Sequence, residues 1–318
     1  MNIISQFPRE SSNGSFKRQK SIFRSIIDEE SQYKPEKGRY HLYLSYACPW
    51  AHRTLIVREL KELDAVVSVS FVNPIRDDKG WCFESENNQY IDPLNGFSYL
   101  MEAYNIMDSK YDMRVTVPVL WDKQTKQIVN NESSDIIIML NSKFNQYTDS
   151  KLNLYPEELK IEIDELNQYI YSNINNGVYK CGFAANQEVY EGEVANLFNA
   201  LDKIELRLAG RTYLVGDRLS LADIRLFVTL IRFDAVYFNH FKTNRQHIYE
   251  YTNLWNFVKL LYNNDQIKPT VKFDEIKDHY FKTHPSINPS GIVPVGPNIE
   301  KLLSTKTHLS NSSFLTQL

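Results

Sequence analysis

A regular pattern of apolar and polar positions begins only at Tyr40. Residues 1–34 are polar, show no sustained period and carry Ser11-Ser12-Asn13-Gly14, so they are expected to form an arm wrapped on the surface or lacking order in part. Tyr40 to Leu44 alternates like a short strand, and Ser45 to Pro49 reads as a turn. Trp50 to Leu63 then places Leu55, Ile56, Leu60 and Leu63 on one helical face. Ala65 to Val72, rich in Val and Phe, predicts a second strand. Together these segments make a βαβ unit, with a parallel strand pair and a right-handed crossover expected.

The connection from Asn73 to Met113 is long and holds Trp81, Phe83, Tyr90, Phe97, Tyr99 and Tyr104, so it should carry a turn or helix of its own. Val115 to Trp121 and Gln127 to Asn130 predict a β-hairpin, and Ser133 to Leu140 the start of a helix. Beyond Tyr155-Pro156 the period becomes helical and stays so. Apolar residues recur at Leu159, Ile163, Leu166, Ile170 and Ile174, and again at Val194, Leu197, Phe198, Leu201, Ile204 and Leu208. The sharpest start signal is Leu219-Ser220-Leu221-Ala222-Asp223-Ile224, in which Ser220 and Asp223 form a capping box and Leu219 can staple against Ile224. The pattern thus predicts an arm (1–34), an α/β domain (35–150), an all-helical domain (151–290) and a tail (291–318).

Composition narrows the possible functions. The chain has 318 residues, enough for two domains at roughly 150 each. With 36 Lys and Arg against 39 Asp and Glu, it offers no electrostatic reason to expect nucleic acid or an anionic membrane as partner. No uninterrupted apolar run reaches membrane-spanning length, and the first 30 residues lack a secretory apolar core, so a soluble cytoplasmic protein is expected. Its cysteines, Cys48, Cys82 and Cys181, are too few and too far apart for a disulfide framework or a four-cysteine zinc site, and no metal is expected.

Cys48 stands out by its seat. Cys48-Pro49-Trp50-Ala51 lies where strand gives way to helix, and Pro49 suits the first helical position because the N–H it lacks is not needed there. Cys48 is then an N-cap, where free N–H groups and the helix dipole favour the thiolate over the thiol. His52 and Arg53 could add positive potential. The alternative is a small buried hydrophobe, the usual fate of a free cysteine. Position 51 is Ala, so no second thiol sits at the C-x-x-C spacing, and an external thiol must resolve any disulfide formed at Cys48. Cys82 and Cys181 have no such setting and are expected to be structural.

A second constellation is Val117-Pro118-Val119, followed by Glu132-Ser133-Ser134-Asp135. A Pro within a β run is expected at an edge or in a cis turn, and a cis Pro118 would present the Val117 amide to a ligand. At the next helix start a hydroxyl and free amides suit a carboxylate, while Glu132 could receive an ammonium group. An ordinary helix cap is the competing interpretation.

Taken together, Tyr46-Ala47-Cys48-Pro49-Trp50-Ala51-His52-Arg53, Val117-Pro118-Val119, Asn131-Glu132-Ser133-Ser134 and the capped helix at Ser220 and Asp223 resemble the glutathione transferases. Gly80-Trp81-Cys82-Phe83, Asn175 to Lys180, Leu230 to Tyr237 and His284 to Pro289 look more narrowly like the S-glutathionyl-hydroquinone reductases, the Xi class related to the omega transferases. The resemblance spans about residues 35 to 297. It implies the glutathione transferase fold: a thioredoxin-like α/β N-terminal domain plus an all-α C-terminal helical bundle. It also implies a homodimer, glutathione as co-substrate, and Cys48 as nucleophile. Trp81, Arg114, Val117, Glu132 and Ser133 would then surround glutathione, and Tyr179 and Tyr280 would face the quinone. These roles make chemical sense, since Arg114 can pair a glycyl carboxylate, the Val117 backbone can align the cysteinyl moiety and Glu132 can hold the γ-glutamyl ammonium. Two alternatives stand beside this one: an omega-like thioltransferase or dehydroascorbate reductase using the same Cys48, and a non-catalytic scaffold that keeps the fold.

Overall fold

The computed structural model describes residues 7–84 and 89–304; the first six positions of the arm and residues 305–318 of the tail lie outside them. The described residues gather into two units. One lies within Ser21–Asn153 and Pro269–His279, and the other within Leu154–Lys268 with the described residues before Ser21 and after His279.

The first unit is built around β1 (Tyr40–Leu44), buried at every position. β2 (Ser68–Phe71) pairs parallel to it, β3 (Val119–Asp122) pairs antiparallel on its other side, and β4 (Gln127–Asn130) completes the order β2-β1-β3-β4. The predicted strand at Val115 begins only at Val119, because Pro118 has no N–H to give to a ladder. The Val117–Pro118 peptide is cis. At the other edge of the sheet, part of the arm covers β4: the Ser25 N–H donates to the Val129 carbonyl (3.0 Å) and the Asn131 N–H to the Phe23 carbonyl (2.9 Å). That occupies backbone groups that would otherwise invite a foreign strand. A pairing this short has no hydrophobic period to reveal it.

Between β1 and β2 runs α1 (Pro49–Leu60). The sequence predicts one apolar face, but the helix is buried nearly all round, including His52, Arg53, Thr54 and Arg58. Each polar side chain has a specific partner. His52 Nε2 meets Thr270 Oγ1 (2.7 Å), Thr54 Oγ1 donates to the Ala51 carbonyl (2.7 Å), and Arg58 Nε donates to the Val67 carbonyl (2.6 Å). Such pairing is what permits polar groups inside. The long connection holds the expected helix, α2 (Met101–Met107). Much of the connection is organised by one buried carboxylate: Asp92 accepts the N–H groups of Leu94, Asn95 and Phe97 and the hydroxyl of Tyr43. α3 (Ser133–Ser142) follows β4 directly and packs against α1.

The second unit is helical. α4 (Lys160–Ile170), α5 (Gly177–Gly182), α6 (Gln187–Arg207) and α7 (Leu221–Arg232) form its body, with two wider π turns, at Tyr171–Asn175 after α4 and at Phe233–Tyr237 after α7. The second π turn ends on Tyr237. Asn186 caps α6 by accepting the Val189 N–H at 2.9 Å. At the start of α7 the buried Asp223 takes the Ser220 N–H (2.8 Å) and hydroxyl (2.7 Å) on one oxygen and the Leu214 N–H (2.8 Å) on the other. Gly182 closes α5 where a Cβ would run into the Phe241 ring, so its missing side chain lets Phe241 pack beside Tyr179.

Candidate active site

Cys48 caps α1 in extended conformation (φ −80°, ψ 120°) with Pro49 in the first turn, as the sequence predicts. Its carbonyl accepts the His52 N–H at 3.0 Å, and among the described residues the Ala51 N–H meets no acceptor. That N–H lies at the positive end of the helix, an arrangement that stabilises an anion at the cap. Cys48 is buried, as Cys82 and Cys181 are, and its thiol donates to the Val117 carbonyl at 3.5 Å. Among the described residues the Val117 N–H is also without a partner, although Val117 is buried. An open amide can donate to a ligand or water, and this one stands on the residue that touches the sulfur. The donor fits the backbone of a bound peptide such as glutathione.

The neighbouring groups are tied to this centre through a network. The Tyr104 hydroxyl donates to the Thr116 carbonyl (2.8 Å), one residue before Val117, and receives Asn131 Nδ2 (3.2 Å), one residue before Glu132. Glu132 caps α3, with Oε1 accepting the Ser134 N–H (3.1 Å) and Oε2 the Ser21 hydroxyl (3.0 Å). An ionised carboxylate retains lone pairs for an ammonium beyond these two bonds. Ser133, buried, accepts from Arg53 at 3.4 Å, which joins the starts of α1 and α3. Arg114 is half-buried, its carbonyl taken by the Tyr111 hydroxyl at 3.2 Å, and its charge is felt at Tyr104. The structure therefore brings Cys48, Val117, Glu132, Ser133 and Arg114 into one network. His52 and Arg53 are turned to other partners, Thr270 for the first, and Ser133 and the Trp50 ring (4.4 Å) for the second.

Trp81 belongs to a separate stack. Its buried ring lies nearly parallel to His279 (13°, centroids 5.0 Å apart), with the Arg76 guanidinium 5.3 Å from its centroid. The Pro74 carbonyl lies 2.6 Å from His279 Nδ1, so that nitrogen carries the proton and fixes the ring. Cys82 and Cys181 are buried, and burial pushes both thiols up, Cys181 to about 12, opposite to what a nucleophile needs.

In the helical unit, Tyr179 and Tyr280 are joined by a 2.6 Å bond between their hydroxyls, and Tyr237 is bonded to Tyr280 at 3.0 Å. The sequence reading named the first two and assigned nothing to Tyr237, His279 or Tyr104. The repeated Tyr and Phe of this chain give no sign of which phenols converge, since the three tyrosines come from segments far apart in sequence. Among the described residues no group of three or more His, Cys, Asp or Glu could hold a metal ion, and no helix is long and apolar enough to cross a membrane.

A thiol on a helix cap after a short strand, a cis proline facing it and a capped helix beside it define a thioredoxin-like peptide-thiol site, here in a chain that also carries a helical unit. Residues 47–143 match the family model of the Glutathione S-transferase, N-terminal domain, and residues 187–259 that of the Glutathione S-transferase, C-terminal domain. The chain belongs to the glutathione transferase family. Within it, the chain is 48% identical over 291 residues to the glutathionyl-hydroquinone reductase PcpF of Sphingobium chlorophenolicum, covering 92% of each. Its fold is similar to the Xi glutathione transferase of Phanerochaete chrysosporium, with a TM-score of 0.87 and 49% identity over 89% of this chain and 98% of that one. It is also similar to the glutathione-bound structure of YqjG, a glutathione transferase homologue from Escherichia coli, with a TM-score of 0.85 and 45% identity over 87% of this chain and 92% of the other.

Proposed function

We propose that this protein uses glutathione to reduce S-glutathionyl-hydroquinones to hydroquinones, with Cys48 as nucleophile. The observation that carries the reading is the pairing of a helix-cap thiol with the open Val117 amide beside it, which suits a sulfur-bearing peptide. The name of the Sphingobium relative supports the same substrate class. The Cys48 thiolate attacks the glutathionyl sulfur of the keto tautomer of the substrate, forming the Cys48–glutathione disulfide. The carbon–sulfur electron pair passes through the ring carbon onto the adjacent oxygen, and the resulting phenolate takes a proton to leave as hydroquinone. The aromatic ring is thereby reduced by two electrons and the two sulfurs oxidised. A second glutathione thiolate then attacks the mixed disulfide, releasing oxidised glutathione and regenerating the Cys48 thiolate.

In this reading Val117 aligns the cysteinyl backbone and Glu132 with Ser133 receives the γ-glutamyl end. Arg114 pairs a carboxylate, Trp81 packs on the peptide, and Tyr179 with Tyr280 meets the quinone oxygen. A protein that works through one free thiol fits a reducing compartment such as the cytoplasm. The homodimer rests on the family resemblance, and sedimentation would test it. The deciding experiment is turnover of glutathionyl-menadione with glutathione. Wild type is expected to be active and Cys48→Ala to retain less than about 1% of its rate; appreciable turnover by the variant would refute the assignment.

A further inference from the structure

The polar arm carries no motif of its own, yet within the α/β unit its residues Ser21 to Ser25 lie against the turn that leads from β4 into α3. Hydrogen bonds on both sides of Arg24 set the register. The Phe23 carbonyl accepts the Asn131 N–H at 2.9 Å, the Phe23 N–H donates to Asn131 Oδ1 at 3.3 Å, and Asn130 Nδ2 donates to the Ser25 carbonyl at 3.0 Å. The Arg24 guanidinium adds a two-pronged pair with Asp135, at 2.7 Å from Nε and 2.6 Å from Nη2. A fork of this kind is more directional than a single contact. It supplies Asp135 with a cation, whereas Glu132, three residues earlier, forms no ion pair among the described residues.

Ser21 falls where the arm meets that second carboxylate. Its hydroxyl lies 3.0 Å from Glu132 Oε2 and 3.2 Å from the Asn131 carbonyl, and its one proton goes to the stronger acceptor, the ionised carboxylate. Glu132 Oε1 is held separately by the Ser134 N–H at 3.1 Å. A carboxylate gripped at both oxygens has its plane fixed. Gripped at Oε1 alone it can swing about its last torsion, which has only broad, shallow preferences.

We propose that Ser21 is a positioning residue for glutathione: its hydroxyl holds the Glu132 carboxylate in the orientation that receives the γ-glutamyl ammonium, which makes the arm part of the binding site. The inference rests on the placing of that ammonium at Glu132 in the functional reading above. A carboxylate already oriented spares the complex the cost of ordering it, so loss of the hydroxyl weakens binding rather than slowing the chemistry at Cys48.

Calorimetric binding of S-methylglutathione, which has no thiol to react, and of its analogue lacking the γ-glutamyl amino group tests it. Wild type is expected to prefer the first ligand. Ser21→Ala should bind S-methylglutathione about fivefold more weakly and the deaminated analogue with unchanged affinity, because the hydroxyl acts only through the carboxylate that meets the ammonium. Ser21→Thr keeps the hydroxyl and should recover most of the loss, and adding Ser21→Ala to Glu132→Gln should cost nothing further. In turnover, Ser21→Ala should raise the KM for glutathionyl-menadione at nearly unchanged kcat. An unchanged affinity in Ser21→Ala, or equal weakening toward both ligands as expected if the hydroxyl merely holds the arm in place, would overturn the proposal. Should Ser21→Ala fold poorly, Ser21→Cys, close in size but a weaker donor, must show the same selective loss. A wild type that binds both ligands equally would overturn the placing of the ammonium and the proposal with it. A wild type that prefers S-methylglutathione yet cannot turn over glutathionyl-menadione would overturn the hydroquinone reading alone.

Discussion

Replacing Asp223 by Ala tests how the helical unit is held together. The carboxylate is fully buried and accepts three donors, the N–H groups of Leu214 and Ser220 and the Ser220 hydroxyl, at 2.7–2.8 Å. Orphaning buried donors costs about 1–3 kcal/mol each, so a loss of about 4 kcal/mol is expected where the carboxyl is largely protonated. Burial works against its ionisation, raising it from 3.8 to about 6 despite these bonds. Between those values the folded state binds more protons than the unfolded one. The stability that Asp223 supplies is therefore full below about pH 4 and declines as pH rises through 6. Over the whole window the decline is about 3 kcal/mol, and about 2 kcal/mol of it falls between pH 4.5 and 7.5. Asp223→Ala is thus expected to destabilise by about 4 kcal/mol at pH 4.5 and about 2 kcal/mol at pH 7.5. Urea unfolding of both proteins at the two pH values, followed by far-ultraviolet circular dichroism, measures the difference. A penalty that grows with pH, or one below about 1 kcal/mol throughout, would show the reasoning to be wrong.

Two further outcomes follow from the site. Iodoacetamide at neutral pH, with the modified peptides mapped by mass, is expected to label Cys48 far ahead of Cys82 and Cys181, whose buried thiols are pushed up; comparable labelling of Cys181 would contradict the burial described. His279→Ala removes the ring stacked on Trp81 and, at about 0.5–1.5 kcal/mol for such a pair, should raise the KM for glutathione about two- to tenfold while largely sparing kcat. His279→Phe should restore it, and an unchanged KM in the Ala variant would separate Trp81 from peptide binding.

The parts of the fold set by local rules were legible in the sequence. Cys48-Pro49 announces a helix start because the missing N–H of proline is harmless only there, and Ser220 with Asp223 announces another through reciprocal capping. The βαβ unit and the hairpin follow from their period, apart from the residues before Pro118. What escaped depends on long-range company. The partners of His52 and Arg58, the cover over the β4 edge, the single carboxylate that orders the connection and the convergence of Tyr179, Tyr237 and Tyr280 join positions with no common period. Of the candidate residues, Cys48 and Val117 were legible because a thiol at a cap and a proline in a β run are each unusual; Trp81 was reached only through the family resemblance.

The all-round enclosure of α1 has a mechanical consequence. A helix with one face to solvent can rock on its core, but this one has neighbours against nearly every side chain, so the sulfur at its tip is carried on a clamped post. Accommodation of differently shaped substrates must then come from segments other than this post. Neutral drift should likewise be rare along Pro49–Leu60, where almost every replacement would unseat a packed neighbour.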